Sequence, residues 1–170
     1  LVHLSAYSFY EESVVEKTIA LAKKAHAKVS LSLASFEVVQ QFRSLIESLL
    51  LEGVDFVFGN NQEAEALCGL QEKKAALKLA EHGECAVVHD GANGAWAAKK
   101  GAFEYMPAFE ALEVKDSTGA GDCFAAGFLH AYFEGLSLNK TLRLANACGA
   151  ANVQVIGAEL PKKVWTQLVE

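Results

Sequence analysis

This chain lacks a membrane-length apolar run, a basic stretch, paired cysteines and the common nucleotide fingerprints, and each absence removes a class of function. The longest apolar stretch, Phe124 to Phe133, falls short of the roughly 20 residues a helix needs to cross a bilayer, and Gly127 and His130 interrupt it. No membrane partner is expected. No charged segment precedes an apolar one at the start, so no secretory signal is read. The formal net charge is −6 with no basic run to offset it, which argues against nucleic acid or an anionic surface as partner. Cys68, Cys85, Cys123 and Cys148 are far apart and contain no C-x-x-C pair. They are expected as free thiols of a reducing compartment, the cytoplasm or an organelle interior, rather than a disulfide or zinc framework. There is no G-x-x-x-x-G-K-[ST], and Gly119-Ala120-Gly121 lacks both the third glycine and the preceding strand of a dinucleotide fingerprint. The five histidines are scattered without metal-ligand spacing, and no Ser–His–Asp grouping stands out.

What is present is a strand–helix alternation. With 170 residues, 52% of them apolar and 21% charged, the chain is long enough for one domain, residues 1–170, with a substantial core. Leu1 to Ser5, Val29 to Leu33, Asp55 to Phe58 and Cys85 to His89 read as strands. Helices are predicted from Glu11-Glu12 to about Ala27, from the Ser35 cap through Leu51, after the Asn60 cap, and from Gln71 to His82. Ala95 to Lys99 and Phe103 to Met106 are predicted as short antiparallel strands around a Lys99-Lys100-Gly101 turn. Helices from Cys123 to Phe133, from about Leu138 to Val153 and after Pro161 complete the pattern. Such alternation implies a mainly parallel sheet between helices, a three-layer α/β/α sandwich, with ligands beyond the carboxyl ends of the strands. The opening run Leu1-Val2-His3-Leu4 is apolar and strand-like, with no polar arm ahead of it, so the chain is expected to be the second half of something longer.

The densest signal is Asp116-Ser117-Thr118-Gly119-Ala120-Gly121-Asp122. It leads straight into an apolar helix. The first turn of a helix has orphan N–H donors and the positive end of the macrodipole, and Gly-Ala-Gly strips that turn of side-chain bulk. A bare helix start is an anion site, most often for phosphate. Asp122 adds a carboxylate to the same turn. Capping alone does not require this arrangement, but removing a proton from a hydroxyl that attacks phosphorus does. From average residue usage, D-x-x-G-A-G-D arises by chance at about one position in a million, so coincidence is a poor account of it in a chain this short.

Together with Asn60-x-x-Glu63 and the Gly91-x-x-Gly94 turn, this motif resembles the ribokinase (pfkB) family of sugar and nucleoside kinases, in order and spacing. The resemblance runs over nearly the whole chain and matches the family's C-terminal half, with Val29 through Asn60 most similar to the adenosine-kinase-like branch. It implies a ribokinase-like fold and ATP-dependent transfer of a phosphoryl group to a hydroxyl, usually primary, of a sugar or nucleoside. Asp122 would be the base, and the amides of Gly119, Ala120 and Gly121 the anion hole. Glu63 would position Mg²⁺ through water. Asn60, His89, Gly91, Gly94 and Asn146 would flank ATP. Asp116, Thr118 and the carbonyls near Gly157 resemble a monovalent-cation site, K⁺ in members that have one. The partners implied are the small-molecule acceptor, the N-terminal substrate and lid half, and a second copy in a homodimer. The chain departs from the family at His89 and Asp90, where Thr and an apolar residue are usual. That departure keeps a competing expectation open, a kinase fold used as a non-catalytic binding or scaffold subunit.

Overall fold

Parallel pairing starts at Val2 and is built from short strands of four or five residues. In the computed structural model, which describes residues 1–169, β1 (Val2–Ser5) pairs in parallel with β2 (Val29–Ser32). β2 pairs with β3 (Phe56–Asn60), and β3 with β4 (Cys85–His89), where Asn60 lies opposite His89. Val29, Leu31, Phe56 to Phe58 and Cys85 to Val88 are buried, the near-continuous apolar pattern of strands covered on both faces. The order through the sheet is β1-β2-β3-β4-β5-β6, with β5 at Ala95–Lys99 and β6 at Ala102–Met106. A two-residue link between hydrogen-bonded neighbours forces β5 and β6 antiparallel, which makes the sheet mixed but mainly parallel. Among the described residues, no helix is long and apolar enough to cross a membrane.

The chain forms two compact units. The first comprises Leu1–His89 with Ala97–Ala102. Its helices are α1 (Glu12–Lys24), α2 (Phe36–Glu52), α3 (Asn61–Cys68) and α4 (Glu72–Leu79). α1 buries Val15, Ile19 and Ala22 along one face. α2 starts where Ser35 caps it, its Oγ accepting from the Val38 N–H at 3.3 Å. Its stripe is interrupted at Phe42, whose backbone leaves helical geometry (φ −110°, ψ 20°) as the ring meets Phe9 and Tyr10 edge-on. A 3₁₀ turn at Ala6–Tyr10, absent from the sequence reading, carries those two rings. α4 is shorter than the predicted Gln71–His82. The chain must leave helical geometry for Gly83, where a Cβ would stand 2.8 Å from the carbonyl oxygens of Val54 and Asp55. At the amino ends of the strands, Lys28 Nζ donates to Asp55 Oδ1 at 3.0 Å and to Glu84, while Asp55 Oδ2 accepts from the Val29 N–H at 2.7 Å.

The second unit comprises Asp90–Trp96 and the chain from Phe103. It is dominated by α5 (Ala120–Phe133) and α6 (Leu138–Asn152). The two helices close tightly because Gly127 faces Cys148; a Cβ there would stand 2.7 Å from the thiol sulfur. α7 (Lys162–Val169) follows and sets Trp165 against His130. The cysteines are free, with Cys85 and Cys148 buried. Burial pushes both of these thiols up to about 12.

Candidate functional site

In the first unit the site residues sit at the carboxyl ends of β3 and β4. Asn60 ends β3 and caps α3, its Oδ1 accepting from the Glu63 N–H at 2.9 Å. Glu63 answers: Oε2 accepts from the Asn60 N–H at 2.9 Å, and Oε1 from Asn60 Nδ2 at 2.6 Å. This is a complete capping box, which satisfies the N–H groups of Asn60 and Glu63 with their own side chains. Glu63 is buried, and that burial raises its carboxyl above the ordinary value, with the Asn60 N–H opposing part of the rise. The parallel register places His89 beside Asn60, bringing two predicted nucleotide residues together.

In the second unit the start of α5 is open. Gly119, the N-cap, adopts left-handed geometry (φ 76°) and offers no side-chain cap. A Cβ at Gly119 would stand 2.5 Å from the Ala158 Cβ, so the position requires glycine for space as well as for conformation. The Ala120 N–H is taken by Ser117 O at 3.2 Å. Among the described residues, the N–H groups of Gly119, Gly121 and Asp122 have no hydrogen-bond partner. Asp122 lies in the same first turn and is exposed. The arrangement is a positive helix end with free donors and an adjacent carboxylate, able to hold an anion and to accept a proton beside it.

Asp116 pins this turn. Its Oδ1 accepts from the Thr118 N–H and its Oδ2 from the Gly157 N–H, both at 2.9 Å. Those two N–H groups, Thr118 first, hold the Asp116 carboxyl below its ordinary value. The three residues of the predicted cation set are therefore together. Gly94 and Asn146 also meet at one place. A Cβ on Gly94 would lie 2.2 Å from Met106 O, and Asn146 Nδ2 donates to Met106 O and Pro107 O at 3.2 and 3.4 Å. Gly91 opens the intervening turn with φ 50°.

Three features escaped the sequence reading. Leu33 is fully buried against Gly59. Asn152 is buried, its Nδ2 donating to Gly157 O at 3.5 Å while its Oδ1 has no partner. Leu112, Val114 and Ile156 project their apolar side chains into solvent at 96, 69 and 86% exposure. The last three lie on two loops stitched by Lys115 N–H to Val153 O (2.8 Å) and Leu112 N–H to Gln154 Oε1 (3.3 Å). Their only signal was apolar residues in loops, a weak one.

Residues 1–165 match the family described as pfkB family carbohydrate kinase. An uncharacterized sugar kinase of Archaeoglobus fulgidus is 36% identical over 118 residues, 68% of this chain and 47% of that protein. A nucleoside kinase of Methanocaldococcus jannaschii is 30% identical over 158 residues, 91% of this chain and 51% of that protein. The crystal structure of adenosine kinase from Sinorhizobium meliloti superposes with a TM-score of 0.89 at 27% identity, covering 97% of this chain and 52% of that one. The chain thus spans about half the length of the relatives it matches.

Proposed function

This chain belongs to the pfkB family of carbohydrate kinases, and on that footing we propose that it carries the nucleotide-binding and phosphoryl-transfer half of an ATP- and Mg²⁺-dependent kinase acting on a hydroxyl of a sugar or nucleoside. The observation that supports this most is the uncapped start of α5, with free amides and Asp122 in one turn.

Phosphoryl transfer asks for alignment and charge stabilisation more than for covalent help. Asp122 takes the proton of the acceptor hydroxyl as its oxygen attacks the terminal phosphorus and the bond to the leaving ADP oxygen breaks. The Gly119 and Gly121 amides, with the Asp122 N–H, meet the negative charge on the transferred group at the positive helix end. The Ala120 amide, bonded to Ser117, contributes through the turn it closes. Mg²⁺, when bound, neutralises phosphate charge. Glu63 suits it as a hard oxygen donor whose two oxygens already accept from Asn60, which favours holding the ion through its waters. Asn60 and His89 in the first unit, and Gly91, Gly94 and Asn146 in the second, are each assigned to ATP in this reading, and the exposed Leu112, Val114 and Ile156 would offer its base an apolar surface. Asp116, Thr118 and Gly157 would hold a monovalent cation such as K⁺, which would supply positive charge beside the α5 start.

A second reading, a non-catalytic binding subunit, rests on His89 at the end of β4, where the family usually has Thr. ADP release by the chain joined to its N-terminal substrate half, measured against a panel of sugars and nucleosides, separates the two. The kinase reading expects turnover with at least one acceptor and its loss in Asp122→Asn. Saturable ATP binding with no turnover for any acceptor contradicts it and favours the second reading.

A further inference from the structure

Gly59 sits inside β3 with an ordinary extended backbone, where a strand gains nothing from glycine's conformational freedom and loses packing by having it. Its reason must be space. A Cβ there would stand 2.7 Å from Leu33 Cδ1, 3.2 Å from Leu33 Cγ and 3.2 Å from Glu63 Oε2. Leu33 has no room to retreat, being fully buried with its N–H bonded to Phe58 O at 2.8 Å. The next residue, Ala34, is in left-handed geometry (φ 68°), so the chain turns sharply just after Leu33 enters the core. Any displacement of Glu63 acts against the hydrogen bonds by which Asn60 holds both of its oxygens.

We propose that Gly59 and Leu33 are positioning residues for Mg²⁺: the missing side chain of Gly59 leaves the slot in which the Leu33 methyl and the Glu63 carboxylate lie side by side, and this slot sets where Glu63 presents its oxygens to the hydrated ion. The inference rests on the kinase reading and assigns these two residues a task within it. Groups that orient a metal-holding side chain without touching the metal commonly matter about 10- to 100-fold in metal affinity. The three atoms nearest a side chain at residue 59 belong to Leu33 and Glu63, so its effect is expected chiefly on the metal-loaded nucleotide.

The test is calorimetric binding of the non-hydrolysable ATP analogue AMPPNP to this chain, once with Mg²⁺ and once in EDTA, with thermal melts as a folding check. Gly59→Ala is expected to weaken the Mg²⁺ form about tenfold and the EDTA form by less than about twofold. Leu33→Val, which loosens the slot without overfilling it, is expected to give a smaller loss of the same selectivity. It therefore carries the test if Gly59→Ala does not fold. The double variant is expected to bind Mg²⁺·AMPPNP better than Gly59→Ala alone, because the Cδ1 that clashes is gone. Equal weakening of the two nucleotide forms, or no weakening in folded variants, overturns the proposal. A wild-type chain that binds neither form contradicts the kinase reading itself, and the proposal falls with it.

Discussion

Helices α3 and α5 begin in opposite ways. α3 is closed by a capping box, in which Asn60 and Glu63 satisfy each other's backbone donors. α5 is open: a left-handed glycine stands where a cap would be, and three amides at its start lack partners among the described residues. A capping side chain stabilises a helix by about 1 kcal/mol, so the open start forgoes a stabilisation that the chain uses elsewhere, at Ser35, Asn60 and Ser137. In the proposed function the two starts serve different ends: the closed one fixes a carboxylate, and the open one keeps its donors for an anion.

Breaking the open start has the largest expected effect. Asp122→Asn leaves the amides in place and removes the base, so turnover is expected to fall by about a thousandfold while ATP affinity stays within a few-fold, read by ADP release beside calorimetry. Gly119→Ala attacks the geometry instead. It places a Cβ against Ala158 in a backbone region hostile to side chains, and a cost of about 2 kcal/mol in urea unfolding is expected together with weaker nucleotide binding. Opening the closed start does less. Asn60→Ala is expected to lower stability by about 1 kcal/mol in the same assay, because α3 loses its cap and Glu63 one of its donors.

The smallest expected effect lies in pH. Glu63 has its carboxyl raised by burial, so its contribution to stability is present below the ordinary glutamate value and is lost as pH rises through the elevated one. Asp116 runs the other way: its lowered carboxyl stabilises above the ordinary aspartate value and loses that contribution as pH falls through the lowered one. Urea midpoints across pH 3 to 8 are expected to lose the decline with rising pH in Glu63→Gln and the decline with falling pH in Asp116→Asn. A Glu63→Gln profile that parallels wild type would show that burial leaves no electrostatic cost at this residue.

The local rules carried most of this fold from sequence. Ser35 and Asn60 cap where their side chains predict, because capping is settled within three residues. The D-x-x-G-A-G-D run lies at a helix start for the same reason, and Gly119 is left-handed as a glycine there can be. Long-range contacts were not legible. The kink at Phe42 depends on rings about 30 positions earlier in the chain. The end of α4 depends on Gly83 fitting beneath the carbonyls of Val54 and Asp55, and no periodicity announces it. Gly59 had a faint signal, a glycine inside a strand, but the reason for it is Leu33, 26 positions away in sequence. The pin between Asp116 and Gly157 joins residues 41 apart, and it came from the family resemblance rather than from any pattern in the residues themselves.

The central claim is that the open start of α5 holds the phosphates. Backbone amide NMR during titration with Mg²⁺·AMPPNP reads those donors individually. The account predicts saturable shifts of the Gly119, Gly121 and Asp122 amides that follow the calorimetric affinity, larger than those of the capped Asn60 and Glu63 amides of α3. Saturable binding that leaves the three α5 amides unmoved would contradict it.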